Sequence, residues 1–191
     1  MPAQRFNRLL DELQTLEKYQ MKGTCQQPKT LNLRHWIAPE RGQFKVNTDA
    51  AVARTSCIGT VGAICRDNHG DFIAASALII PNITEPETLE AMACVEALAL
   101  GEDCGIKNLT VASDCLNVIK NIKETTRCPY MMMIEDIKVR SKCLDYVRFA
   151  HEGKESNREA HCLAKHACTL RPGRHVWLGT APVFLNVNIF N

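Results

Sequence analysis

The chain has 191 residues, 46% hydrophobic and 23% charged, a balance that excludes a mainly disordered chain and suits one domain with extensions or two very small ones. Lys and Arg number 23 against 21 Asp and Glu, and the net charge of +2 argues against nucleic-acid binding by bulk positive charge. No run reaches the ~18 apolar residues of a membrane helix, so no membrane span is expected.

Residues 4–19 place Phe6, Leu9, Leu10, Leu13 and Leu16 at helical spacing among charged residues, which predicts a helix that either packs on the domain or forms a short coiled-coil segment able to meet a protein partner. Residues 20–34 are polar and aperiodic and read as a linker. The excess positive charge sits in residues 1–34, and the rest of the chain is nearly neutral. From Phe44, FKVNTDA alternates as a half-buried strand does. GTVGAICRD and DFIAASALII continue as strands around Asn68-His69-Gly70, a hairpin turn, so three antiparallel strands follow one another. Residues 86–103 switch to a helix, with Pro86 in its first turn and Gly101 or Gly105 to end it. LTVAS at 109–113 is a short buried strand, CLNVIKNIKE a helix, and Pro129 opens another helix to about Cys143. YVRFAHE at 146–152 is the last expected strand, and Asn157 is placed to cap a final helix to about Leu170. The order βββαβααβα describes an α/β fold with a mixed five-stranded sheet and helices packed on it.

Ten cysteines are many, yet no pair forms CxxC and the N-terminus MPAQRFNRLLDELQ has no continuous apolar core. They read as reduced thiols acting as small buried hydrophobes in an intracellular protein, nuclear or cytoplasmic rather than secreted. His161, Cys162, His166 and Cys168 look metal-like, but no second short-spaced pair completes a zinc site.

Three carboxylates stand out by position. Asp49 lies at or near the end of the first strand, Glu90 in the first long helix, and Asp114 directly after the fourth strand. Ligand sites in α/β sheets gather at strand ends. Each has a plain alternative: a turn for Asp49, a solvated position for Glu90, a helix cap for Asp114. Glu90 shares a helix face with Cys94, Ala97 and Gly101, small residues suited to packing against a sheet, so its carboxylate is held near the sheet. Glu87, one turn earlier, is its rival.

The segments VNTDAAV at 46–52, GTVGAICRDNHGDFIAA at 59–75, ETLEAMACVEALALG at 87–101, LTVASDCLNVIKNI at 109–122 and ESNREAHCLAKHA at 155–167 stand in a telling order. Together they resemble the ribonuclease H type 1 domain, most of all the form found in plant non-long-terminal-repeat retroelements and their descendants. The resemblance implies a ribonuclease H-like domain over 35–185, with 1–34 and 186–191 as extensions. It also implies hydrolysis of the RNA strand of RNA–DNA hybrids by carboxylates that bind two divalent ions. Asp49, Glu90 and Asp114 match the first three ligand positions, and Met92 and Ala93 set the register that favours Glu90 over Glu87. Hard oxygen ligands suit Mg²⁺ or Mn²⁺.

Two departures qualify this reading. At the fourth position, where the family has Asp, this sequence has His161. It is either a softer, uncharged ligand or proton carrier, or a bystander in a domain that lost its fourth ligand. His151 is a second proton-carrier candidate. Ala50 stands where the family most often has Gly, which adds a methyl near the substrate path.

Residues 120–142 carry Lys120, Lys123, Arg127, Lys138, Arg140 and Lys142 against three acidic residues, either a phosphate-contacting surface or a solvated helical face. YMMMI at 130–134 reads as core filling. The apolar residues Trp177, Leu178, Val183, Leu185, Val187 and Ile189 form a closing tail like that of the plant domains. The leading expectation is an enzyme, and the alternative is a catalytically weak or silent nucleic-acid-binding module derived from a retroelement.

Overall fold

The computed structural model describes residues 36–124 and 127–185. The expected N-terminal helix, the linker and the last residues of the tail lie outside these. The elements are β1 (Phe44–Ala53), β2 (Ile58–Arg66), β3 (Phe72–Pro81), α1 (Pro86–Asp103), β4 (Asn108–Ser113), α2 (Leu116–Glu124), α3 (Met131–Ser141), β5 (Tyr146–His151), α4 (Arg158–Ala167) and β6 (Gly173–Leu178).

The sheet has six strands in the order β5-β4-β1-β2-β3-β6. β1, β2, β3 and β6 run antiparallel in turn, while β4 and β5 join parallel on the other side of β1. The mixed α/β sheet with helices packed on it is as expected, but the sheet gains a strand over the expected five. β6 comes from the segment read as a tail. Its half-buried residues are His175 and Trp177 at every second position, a strand period that four exposed residues around them obscure in the sequence. Arg174 then ties β6 to α1 through Glu96 at 2.7 Å and Asp103 at 2.6 Å.

Each sheet face buries its own core. On one face Val46, Ala63, Cys65 and Val111 pack against Cys94, Ala97 and Leu98 of α1 and against Ile119, Ile134 and Ile137 of α2 and α3. On the other, Ile64, Ala75, Ala77 and Ile79 pack under Leu163 and Ala167 of α4 and under Leu185. A carbon built at Gly62 would lie 2.9 Å from the Ala164 nitrogen and 3.1 Å from the Ala160 oxygen, so α4 rests directly on β2.

α1 ends as the sequence suggested at Gly105, which takes φ +65° just past the Cys104 cap, while Gly101 stays inside the helix. The Asn68-His69-Gly70 turn is held by Asp67, whose carboxylate accepts from the backbone N–H of His69 and Asp71. The YMMMI segment is only partly core: Tyr130 and Ile134 are buried, whereas Met132 is 81% exposed. The cysteines divide similarly. Cys65 and Cys94 are buried, and burial pushes both thiols up. Cys57, Cys143 and Cys162 are exposed, contrary to the expectation of uniformly buried thiols.

Candidate active site

Asp49 lies inside β1, not at its end. The pairing of β1 with β4 stops at Thr48 opposite Ser113, and β1 continues to Ala53 beside β2 alone. Asp49 and Asp114 are therefore the next residues on two parallel strands. The expectation of a strand-end position holds for Asp114 and, for Asp49, only relative to its shorter neighbour.

Alternation along β1 sends Val46 and Thr48 toward α1 and Asn47 and Asp49 toward α4. Glu90 approaches from the α1 side. Because β4 stops at Ser113, carboxylates from the two faces can meet beyond its end. Ligand oxygens of Asp49, Glu90 and Asp114 lie within 4.8 Å of one another, the one such group of metal-capable side chains among the described residues. Glu90 Oε2 accepts from the Ser113 hydroxyl at 3.4 Å. Glu87 instead takes Asn117 Nδ2 at 2.7 Å and the Tyr130 hydroxyl at 3.3 Å, which removes it as the rival.

Crowding acids in a partly buried place is costly, and the acidities record it. Burial, with Asp49 and Asp114 nearby, pushes Glu90 up to about 8. Burial, together with the nearby charge of Asp114 and against the opposing hydrogen bond from His161, brings Asp49 up to about 6. The backbone N–H of Ala50 favours the ionised forms of both. The methyl of Ala50 lines the cleft and touches the small apolar group of Val61, Leu89 and Ala93.

His161 projects from α4 with half its side chain exposed, and its Nδ1 is 2.7 Å from Asp49 Oδ2. It stands outside the three-carboxylate group and touches that group through Asp49. His151 places Nε2 3.2 Å from the backbone oxygen of Asp114, at the rim. The other members of the zinc-like cluster disperse. His166 stacks on Phe184, and Cys168 lies against the Thr60 hydroxyl.

The sequence pointed to Asn157 only as a helix cap. It stands at the N-cap of α4, but its side chain makes no cap bond. Instead it is buried and donates from Nδ2 to the Thr48 oxygen at 2.7 Å. A second unforeseen tie is Arg66, which grips Glu159 of α4 through two bonds at 2.9 and 3.0 Å. The first ties the start of α4 to β1, which carries Asp49, and the second ties α4 to the neighbouring β2.

The acids form the floor of a cleft of ≈ 860 Å³. Pro86 and Glu87 line one side, and Lys154, Asn157, Arg158, His161 and Cys162 the other. In the basic stretch 120–142, Lys138 pairs with Glu135, and Arg140 with Asp136 and Glu102, so these two cations are engaged within the helical layer.

Residues 47–167 match the family described as reverse transcriptase-like. The chain belongs to that family. The reverse transcriptase-like segment starts at Asn47 and includes Asp49, Glu90, Asp114 and His161. No curated protein matches the sequence. Solved structures show the same fold. RNase H1 from the halophilic archaeon Halobacterium salinarum aligns at TM-score 0.62 and 20% identity over 66% of this chain and 98% of that one. The N-terminal RNase H domain of a Mycobacterium tuberculosis protein aligns at TM-score 0.60 and 15% identity over 65% and 92%. LC11-RNase H1 from compost, solved in complex with an RNA/DNA hybrid, aligns at TM-score 0.57 and 17% identity over 65% and 95%.

Proposed function

We propose that this reverse transcriptase-like chain is a metal-dependent endonuclease that hydrolyses the RNA strand of RNA–DNA hybrids. The observation that carries the reading is the meeting of Asp49, Glu90 and Asp114 within 4.8 Å at the floor of an open cleft. The family and the fold of its RNase H1 neighbours agree with it.

The donor set fits divalent cations. It offers only carboxylate oxygens, the hard ligands that Mg²⁺ and Mn²⁺ prefer. The upward-shifted pKa values of Asp49 and Glu90 mark a place where negative charge lacks compensation. Asp49, Glu90 and Asp114 would hold two ions, which supply stabilisation of the attacking and leaving oxygens in phosphodiester cleavage.

The chain's own residues do the rest. Asp49, central in the group, is oriented by His161 on one side and by the backbone N–H of Ala50 on the other. With Asp49 ionised and acting only as acceptor, the shared proton lies on His161 Nδ1, which leaves Nε2 as an acceptor facing outward. There it can take a proton from a water at the cleft mouth, a role its half-exposed ring permits. Lys154 and Arg158 line the same wall and supply positive charge for backbone phosphates.

The catalytic unit in this reading is residues 35–185, flanked by 1–34 and 186–191. The resemblance to plant retroelement domains supports a retroelement-derived origin. Free cysteines, several of them exposed, support an intracellular setting, nuclear or cytoplasmic. A protein partner for residues 4–19 belongs to the same proposal. One observation favours the silent-module alternative: His161 adds no negative charge where a fourth carboxylate would complete the site.

The test is cleavage of a labelled RNA–DNA hybrid by purified protein with Mg²⁺ and with Mn²⁺, beside Asp49→Asn. Asp49→Asn is expected to lower the rate by on the order of 10²–10³. No cleavage in either metal, with hybrid retained on a filter, establishes the silent module instead. Cleavage that survives Asp49→Asn overturns the site.

A further inference from the structure

The cleft wall carrying His161 is held by a chain of buried side-chain amides that begins outside the family-matched segment. Trp36 Nε1 donates to Asn47 Oδ1 at 2.9 Å. Asn47 Nδ2 donates to Asn157 Oδ1 at 3.2 Å and to the Ser156 oxygen at 3.4 Å. Asn157 Nδ2 donates to the Thr48 oxygen at 2.7 Å. Asn47 is 5% exposed and Asn157 1%, so neither amide has bulk water as a substitute partner.

The direction of this chain is fixed at both ends. An indole N–H only donates, so Asn47 must turn its oxygen to Trp36 and its nitrogen to Asn157. A backbone carbonyl only accepts, so Asn157 must turn its nitrogen to Thr48. Flipping either amide would set oxygen against oxygen in a buried place. Trp36 is itself fixed. Lys45 Nζ lies 5.1 Å over its ring and bonds the adjacent Ile37 oxygen at 2.7 Å and both oxygens of Glu152 at 2.6 Å.

Both ends of the Asp49–His161 contact hang on Asn157. Its amide grips Thr48, the residue before Asp49, and its backbone oxygen accepts from the His161 N–H at 3.1 Å. The geometry points to Trp36 as a positioning residue that sets the Asp49–His161 contact through Asn47 and Asn157. It lies eleven residues before the matched segment begins. The inference deepens the proposed reaction, on which its kinetic part rests; its structural part stands without it.

Trp36→Phe keeps an aromatic ring under Lys45 and removes the N–H donor along with part of the indole's bulk. On the full chain it is expected to lower kcat for hybrid cleavage by about 10- to 100-fold with KM unchanged, since a small misplacement of reacting groups has effects of that order. Arg174→Ala, which loosens β6 far from the cleft, is the control for lost stability; it should lower Tm and leave kcat alone. The second readout needs no activity. A long-range ¹H–¹⁵N spectrum of the metal-free protein at pH 8 should show His161 with its proton on Nδ1, and Trp36→Phe should move it toward the pattern of a free ring. Asn157→Asp, which turns a donor into an acceptor facing Thr48, should move it at least as far. An unchanged His161 spectrum in Trp36→Phe overturns the proposal, as does a raised KM at unchanged kcat. A wild-type protein that cleaves nothing overturns the proposed reaction, and the spectrum then decides the positioning role by itself.

Discussion

Asp49 stands opposite Gly62 in the register of β1 and β2, and the bare Cα of Gly62 is the place where α4 meets the sheet. The same glycine thus lies beside the central carboxylate and beneath the helix that brings His161 to it. Gly62→Ala would press a methyl on the Ala164 nitrogen at 2.9 Å, on Leu163 Cγ at 3.0 Å and on the Ala160 oxygen at 3.1 Å. Two of these are backbone atoms, so the helix itself must shift. The expected cost is about 1–3 kcal/mol, read from denaturant midpoints. Activity should fall further than the stability loss alone explains, because His161 follows Ala160.

The metal-free protein should lose stability as pH rises. Glu90 moves from 4.5 unfolded to about 8 folded, and Asp49 from 3.8 to about 6. Between those values the folded state holds protons that the unfolded state has released, so stability is full below about pH 4 and declines until about pH 8. Urea midpoints across that range, with chelator, should show the decline, and Glu90→Gln should flatten its upper part. Added Mg²⁺ or Mn²⁺ should raise the midpoint of the wild type at pH 8 and have little effect on Glu90→Gln. A flat wild-type profile would contradict the crowding of these acids.

His161→Asp restores a fourth carboxylate beside Asp49. The variant should need less Mg²⁺ for half-maximal cleavage, by about 10-fold, the scale on which ligand surroundings alter metal affinity. The ratio of its rate in Mn²⁺ to its rate in Mg²⁺ should fall below that of the wild type, because carboxylate is a harder ligand than imidazole. His161→Ala should instead lower kcat in both metals. Equal behaviour of the Ala and Asp variants would assign His161 to the bystander role.

Lys154, in the turn before α4, and Arg158, the first residue of α4, both line the cleft and are exposed. Replacing both with Ala should weaken hybrid binding uniformly across sequences and reduce the slope of log affinity against log salt by about 1–2. Lys138→Ala, whose cation is engaged by Glu135, should leave the slope unchanged. A slope that responds to Lys138 and not to the cleft pair would move the substrate path to the helical layer.

Local pattern made much of this molecule legible. Alternation in FKVNTDA and GTVGAICRD marks half-buried strands whatever their partners. The small face of Cys94, Ala97 and Gly101 under Glu90 marks a helix that lies close to a sheet. β6 escaped because only His175 and Trp177 are sheltered, and a strand exposed on most of its residues carries little hydrophobic signal. Asn157 stands at the cap position the sequence suggests, but its side-chain tie is not legible, because nothing local distinguishes a capping Asn from one bonded to a distant strand.

What the sequence by itself determined is the order of the elements from β1 to α4 and which acidic residues they carry: Asp49, Glu90 and Asp114. Only the tertiary structure decided what those residues touch. The partner of His161 is 112 positions away at Asp49, and the partner of Asn157 is 109 away at Thr48. Periodicity reports burial, which each residue bears alone. A hydrogen bond needs two groups within about 3 Å, and that distance exists only once β4 has stopped short and α4 has settled on Gly62.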